Sequence, residues 1–379
     1  MGLKQDNLRF ILDTPLGKDA LWVLKFWGEE SISGLFHFTV ECSSDKDSHD
    51  FTKVIGKNAT LTLKIGDSKS RLFDGIVTRF MQGPTDKRVT NYIIELRPWA
   101  WLLSLTSDSR IFQEKSAPDI IKQVVTDAGF SANFKNQCQG TYKPRTYCVQ
   151  YQESALDFIT RLMEEEGIFY FFKHEKGKHT MVLADKPAAL VACPDQAAVE
   201  YKPPTRGDQQ DNDVVTRVQL EQQMTSTQFT VGDFNMETPS TQLTSTAKGS
   251  KGKFEVREWP SLFDKKADAE AVAKRRIEER ELAIKEIRGS STCRGFVAGH
   301  FFEMKKHLRA DLNAKWTLRW VSHYAEVNKY RNEFRGFPKD IPFRPLRATR
   351  KPVIAGTQTA FVVGQKGEEI TTDKFGRVK

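Results

Sequence analysis

Two histidines bracket a carboxylate in His174-Glu175-Lys176-Gly177-Lys178-His179, residue types that can hold and activate a zinc-bound water. The spacing argues against that chemistry. A zinc-binding helix needs its histidines four positions apart so that both rings meet one ion. Five apart, at about 100° per residue, they diverge by roughly 140°. With glycine and lysines between two apolar runs, the segment reads instead as the turn of a hairpin.

Three consecutive carboxylates, Glu164 to Glu166, precede an aromatic run and have the chemistry of a glycosidase acid and nucleophile. Neighbouring helix positions do not face each other across a substrate, so solvated charge at a helix end is the expectation. His300, His307 and His323 lie close in sequence, but no strained Gly-x-Ser-x-Gly setting supplies a nucleophile, and they read as packed or surface side chains. Gly249-Ser250-Lys251-Gly252-Lys253 lacks the spacing of a phosphate loop, and no Gly-x-Gly-x-x-Gly is present. Cys42, Cys138, Cys148, Cys193 and Cys293 are odd in number and unpaired in spacing, as expected of reduced, structural thiols. The residues therefore nominate no catalytic, cofactor-binding or metal-binding position, and no cofactor.

The elements that would have to carry any site are mostly strands. Ala59 to Ile65 sets Leu61, Leu63 and Ile65 against Thr60, Thr62 and Lys64, and Asn91 to Trp99 sets Tyr92, Ile94 and Leu96 on one side. Turn residues in Ile65 to Ser70 and Gln82 to Arg88 punctuate them, so residues 1–100 are expected to curl into a barrel or sandwich. Residues 101–185 change character. Ser116 can cap a helix bearing Ile120, Ile121, Val124, Val125 and Ala128 before Gly129. Ser154 and Asp157 can cap a second, with Phe158, Ile159, Leu162 and Met163 inward and Gly167 ending it. Two strands, Ile168 to Phe172 and Thr180 to Ala184, complete a small α/β insertion. A polar, proline-bearing linker from Tyr201 to Asp213 leads into a second β-rich region, 186–350, with a helix at about 264–288 whose seam is Ala273, Ile277, Ile284 and Ile287. Near its end, alternation places Trp316, Leu318, Trp320 and Tyr324 on one face.

With 379 residues, 39% apolar and 28% charged, the chain can bury large cores over several domains. The start lacks a signal-peptide pattern, and no run approaches the ~20 apolar residues of a membrane span, so synthesis in the cytoplasm is expected. A formal charge of +9 and a pI near 9.1 invite a nucleic-acid reading. Acids are interleaved with the bases, however, as in Lys265 to Glu286, and a solvated surface or a patch for an acidic protein partner is expected instead.

Several co-linear segments resemble the VgrG family, the spike proteins of type VI secretion systems. They are Gly28 to Glu41, Leu96 to Gln113 ("LRPWAWLLSLTSDSRIFQ"), Tyr151 to Phe172 and Ser291 to Met304, the last with Ala298 where proline is usual. The closing segment from Arg344 to Lys379 resembles the linker and first hairpin of an oligonucleotide/oligosaccharide-binding (OB) barrel, with arms from Glu369 to Thr372 and from Arg377. The resemblance implies a phage tail hub-like double β-barrel, the α/β insertion between its halves, and 351–379 as the start of an OB-fold domain. It further implies a homotrimer whose six barrels match a hexameric Hcp tube, with baseplate components as further partners and a PAAR-type tip and effectors carried beyond the small barrel. Such a protein resides in the cytoplasm before firing and leaves through the apparatus without a signal peptide. The work implied is mechanical, with no enzyme activity, membrane span or nucleic-acid ligand. The alternatives are an effector-bearing spike with cell-wall hydrolase activity, or a basic nucleic-acid-binding protein linked to the OB fold.

Overall fold

The computed structural model describes residues 5, 8–66, 69–86, 89–204, 212–249, 253–327, 329–364, 367 and 370–378. Alternating apolar residues build the first strands: β1 (Phe10–Asp13), β2 (Trp22–Ser31), β3 (His37–Ser44), β4 (Asn58–Ile65), β5 (Lys69–Asp86) and β6 (Val89–Arg97). They pair antiparallel in the order β1-β4-β5-β6-β3-β2 and curl around Phe10, Phe26, Phe38, Phe73 and Tyr92. The expected alternation holds in β6 and in part of β4: Leu61, Leu63, Tyr92, Ile94 and Leu96 are fully buried, but Ile65 is half-buried and Thr60, expected on the outer face, is buried because its hydroxyl binds Asp74 and the Gly177 N–H. Gly83 and Pro84, read as turn residues, instead lie within β5 where its register slips between Gln82 and Thr85. A bulge is where a strand tolerates a proline that has no N–H for the ladder.

The insertion comprises β7 (Asp108–Phe112), α1 (Ala117–Asp127), β8 (Phe134–Asn136), β9 (Cys148–Glu153), α2 (Ala155–Glu166), β10 (Phe169–Glu175) and β11 (Lys178–Ala184). Both helices start as their sequences require: Ser116 Oγ accepts from the Asp119 N–H, and Ser154 Oγ from the Asp157 N–H. Gly167 ends α2 at φ +69°, a left-handed conformation that glycine reaches without a Cβ clash. Ile120, Val124, Phe158 and Leu162 join the same apolar cluster as Phe38 and Phe73, so the insertion extends the first core.

The remaining elements are β12 (Ala198–Glu200), β13 (Val215–Gln222), β14 (Gln228–Asp233), β15 (Leu243–Lys248), β16 (Glu255–Glu258), α3 (Lys266–Glu281), β17 (Lys285–Ser291), β18 (Phe301–Lys305), β19 (Lys315–Glu326) and β20 (Lys329–Pro338). Strands β19-β20-β17-β13, with β18 on β19 and β12 on β18, enclose Phe296, Phe302, Trp316 and Phe334. The small sheet β15-β14-β16 carries α3, with Phe229 and Val231 against Ala269, Ala273 and Ile277.

Two expectations are corrected here. The helix does not reach residue 288: it stops at Glu281, and after a short 3-10 segment Lys285 begins β17. Strand partners on both sides, β13 and β20, outweigh the local helical pattern there, and Ile287 packs in the second core. Along β19 the register shifts between Leu318 and Trp320. One extra residue reverses the faces, so Trp316 and Leu318 point inward, followed by Val321, His323 and Ala325, while Trp320 and Tyr324 are left on the outer side.

β2 then pairs with β19, from Lys25 opposite Glu326 to Ser31 opposite Trp320, which fuses both halves into one 12-stranded sheet. After β20, residues 341–349 run back across α2 and α3. Among the described residues of 351–378 the pairing is a single bridge, Thr372 to Val378, around a turn in which Asp373 N–H donates to the Arg377 carbonyl. Glu369 of the expected hairpin, residues 205–211 of the expected linker and residues 250–252 of the lysine-glycine segment lie outside the described residues. Among the described residues no helix is long and apolar enough to cross a membrane.

Candidate functional site

The polar groups gather where β2 meets β19. Glu30 shares the inward face of β2 with Phe26, Arg71 the inward face of β5 with Phe73, and His323 the inward face of β19 with Val321. Arg71 Nη2 donates to Glu30 Oε1 at 3.0 Å, and its Nη1 to the Leu72 carbonyl at 2.7 Å. His323 Nε2 lies 3.0 Å from the same Glu30 oxygen and its Nδ1 2.7 Å from Tyr330 Oη. Asn332 Nδ2 continues the chain to Tyr330 Oη and the Cys293 carbonyl, and Ser291 Oγ donates to Asn332 Oδ1. All of these side chains are buried. Burial alone would raise the Glu30 pKa; the Arg71 charge and the His323 hydrogen bond overcome it and hold the carboxyl at about 2. Burial pushes His323 below its ordinary value, against the pull of Glu30. The seam thus holds an ionised pair beside a neutral imidazole.

His174 and His179 sit directly opposite each other in β10 and β11, around a turn tightened to Lys176 and Gly177. Both rings point inward, to Asp74 of β5. His179 Nδ1 is 2.7 Å from Asp74 Oδ1, and its Nε2 accepts the Trp99 N–H at 2.8 Å. That acceptor role fixes the neutral Nδ1–H tautomer. Carboxylate and imidazole are thereby arranged as in the orienting half of a hydrolytic triad, yet the nitrogen that would serve a nucleophile is occupied by backbone. Asn58 Nδ2 and Thr60 Oγ1 donate to Asp74 at 2.8 and 2.7 Å, completing its shell. His174 Nδ1 accepts the Asp74 N–H, and burial, then the nearby Arg71 charge, holds this ring well below the ordinary histidine range. Among the described residues, no cluster of His, Cys, Asp and Glu is arranged to hold a metal.

The three carboxylates of α2 depart from the expectation of solvated charge. Glu164 is 7% exposed and accepts from Ala348 N–H at 3.1 Å, Thr349 N–H at 2.9 Å and Thr349 Oγ1 at 2.9 Å. Glu165 and Glu166 grip Arg145 at 2.7 and 2.8 Å. The segment 341–349 returns over α2 and supplies the donors, which sequence spacing could not reveal. Beside it Arg344 donates to Glu278, the Gly167 carbonyl and the Asp185 carbonyl.

The Ser291 to Met304 motif closes the second core. Arg294 pairs with Asp213 at 2.9 Å, and Gly295 N–H donates to Gln196 Oε1 at 2.8 Å. Gly299, at φ +81°, packs so tightly on the insertion that a Cβ there would lie 2.6 Å from Phe171 Cβ. His300 stacks edge-on against Phe171, and burial lowers its pKa to about 4. His307 lies against Tyr201 near the surface. The five cysteines are free thiols, Cys138 half-buried and the others buried.

The family model of the phage tail baseplate hub (GPD) matches residues 29–329. Among curated relatives, the type VI secretion system spike protein VgrG1b of Pseudomonas aeruginosa is 34% identical over 394 residues, covering 100% of this chain and 53% of the relative. VgrG1c of the same organism is 34% identical over 383 residues, covering 97% and 52%. The chain spans about half the length of these relatives. Among solved structures, the Escherichia coli c3393 protein, described as a type VI secretion component similar to the T4 tail proteins gp27 and gp5, superposes with a TM-score of 0.70 at 18% identity, over 94% of this chain and 84% of that one. The tail protein of Neisseria meningitidis MC58 gives 0.63 at 12% identity, over 88% and 97%. At these identities the structures speak for the fold.

Proposed function

The chain belongs to the phage tail baseplate hub family, and from that premise we propose that it forms the tube-facing hub of a type VI secretion spike. The observation that carries the proposal is the co-linear similarity of the whole chain to spike proteins. In this reading residues 1–100 and 186–350 supply two barrels, 101–185 the insertion, and 351–379 the start of an OB barrel. Three copies present six barrels to a hexameric Hcp tube, and the spike travels from the cytoplasm out through the apparatus with a PAAR-type tip and effectors. The 12-stranded sheet favours such a load-bearing role, because force on one half passes through the β2–β19 ladder to the other. The proposed work is structural, with no catalytic, cofactor or metal site: Glu164 and His179, which carry the strongest chemical suggestion, are engaged by backbone donors.

Light scattering on the purified chain is expected to give a trimer at micromolar concentration, and immobilised Hcp hexamer is expected to retain it. A persistent monomer that ignores the hexamer overturns the reading. A cell-wall hydrolysis assay on the same material is expected to be blank.

A further inference from the structure

Beneath the returning segment 341–349 lies a cleft of about 590 Å³, bounded by α2, the end of β2, and β19 with β20. That volume is in the range of sites that enclose a ligand. Its floor is apolar, built from Met163, Ile168, Leu282 and Phe343. Five charged side chains line it: Glu29, Glu164, Arg319, Arg335 and Arg344. Four of them are engaged. Glu164 holds Ala348 and Thr349, Glu29 accepts from Trp320 Nε1 at 3.0 Å, Arg319 donates to Glu286 at 2.5 Å, and Arg344 donates to Glu278 at 2.8 Å.

Arg335 has no carboxylate partner among the described residues. Its guanidinium lies 5.4 Å from the centre of the Trp320 ring, and both side chains are half-buried. Stacking holds the group in place without neutralising it, and leaves a planar fork of donors suited to a carboxylate. The site therefore combines an apolar floor with one uncompensated, oriented cation. A polyanion would find a single free guanidinium, and the indole face on which a base would stack is already covered by Arg335.

We propose that this cleft receives a segment of an acidic partner protein, in which an Asp or Glu pairs with Arg335 while an adjoining large aliphatic side chain enters the floor. Charge complementarity at the unpaired Arg335 guanidinium, which lines the cleft above the apolar floor, selects an acidic segment as the occupant. The assignment does not depend on the secretion reading.

The test is calorimetric titration of the full chain with acetyl-Leu-Leu-Asp-Leu-amide and with its Asn counterpart. The Asp peptide is expected to bind, with the Asn peptide weaker by about tenfold or more. Arg335→Gln is expected to erase that difference, Arg335→Lys to restore part of it, and Thr160→Trp, which projects into the cleft from the half-buried side of α2, to weaken both peptides. Four results overturn the proposal: no binding at millimolar peptide, equal affinity for the two peptides, an Asp preference that survives Arg335→Gln, or binding that disappears as the protein self-associates at higher concentration. Should Arg335→Gln fail to fold, the Asp/Asn contrast and Thr160→Trp still decide the matter.

Discussion

Two groups of arginines and carboxylates hold this molecule together, and they differ in their contact with water. At the β2–β19 seam the Arg71 and Glu30 side chains are 7% and 5% exposed. Under the returning segment, Arg347 and Glu258 are 36% and 24% exposed. Removing one member of a buried pair strands the other in a low dielectric, whereas a half-exposed survivor is rehydrated. The seam therefore fixes which strands meet, while the outer pairs only trim the position of a segment already packed.

The largest effect should come from breaking the seam on one side. Arg71→Met leaves Glu30 ionised or forces it to take a proton, at a cost of about 3–5 kcal/mol, read as a lower urea midpoint. Arg71→Met with Glu30→Leu should recover much of that loss, because neither charge is left alone. A single variant that costs less than about 1 kcal/mol would erase the distinction between the two regions.

The buried histidines, His323 in the seam, His174 in the insertion and His300 against it, should also respond to acid. His174, His300 and His323 are all held below 6.5 in the fold, His300 at about 4, so the unfolded chain takes up these protons first. Stability is complete above pH 6.5 and falls as the pH drops toward 4, with His300 alone contributing about 3 kcal/mol to the loss. Glu30 adds a second decline from 4.5 toward 2, since its folded pKa is depressed. Melting temperatures measured from pH 7.5 to 4 should decrease throughout, and His300→Phe should flatten the upper part of that decrease.

Local grammar made much of the fold legible: Ser116, Ser154 and Gly167 mark helix ends by the same hydrogen bonds and backbone angles the structure contains. Alternation also predicted the inward Leu61 and Leu63 of β4 and Tyr92, Ile94 and Leu96 of β6, though not the burial of Thr60. What failed depended on distant partners. Lys285 joins a strand because β13 pairs with it and β20 takes up the same strand from Ile287, and Trp320 faces outward because a bulge in β19 reverses the phase. The polar seam left one usable signal, a charge on the inward parity of an alternating strand, as with Arg71 beside Phe73. Nothing local told that Glu164 would bind residues 184 and 185 positions away.

A smaller, local effect is expected at Glu164. Glu164→Ala removes the acceptor of two backbone N–H groups and one hydroxyl, and should cost about 1–3 kcal/mol. Hydrogen exchange at Ala348 and Thr349 should accelerate markedly, while the β2–β19 amides stay protected. Glu165→Ala is the control, because Glu166 still holds Arg145.

The smallest effect belongs to Arg347, which grips both carboxylate oxygens of Glu258. Bidentate geometry favours this pair, but exposure restores most of its hydration when it breaks, so Arg347→Ala should cost less than about 1 kcal/mol. Raising the salt should shrink even that difference, since partly exposed charges are screened. Exchange at Thr349 should then change far less than in Glu164→Ala. If the two variants released the segment equally, and salt made no difference, burial would not be what separates the strong fastenings of this protein from the weak ones.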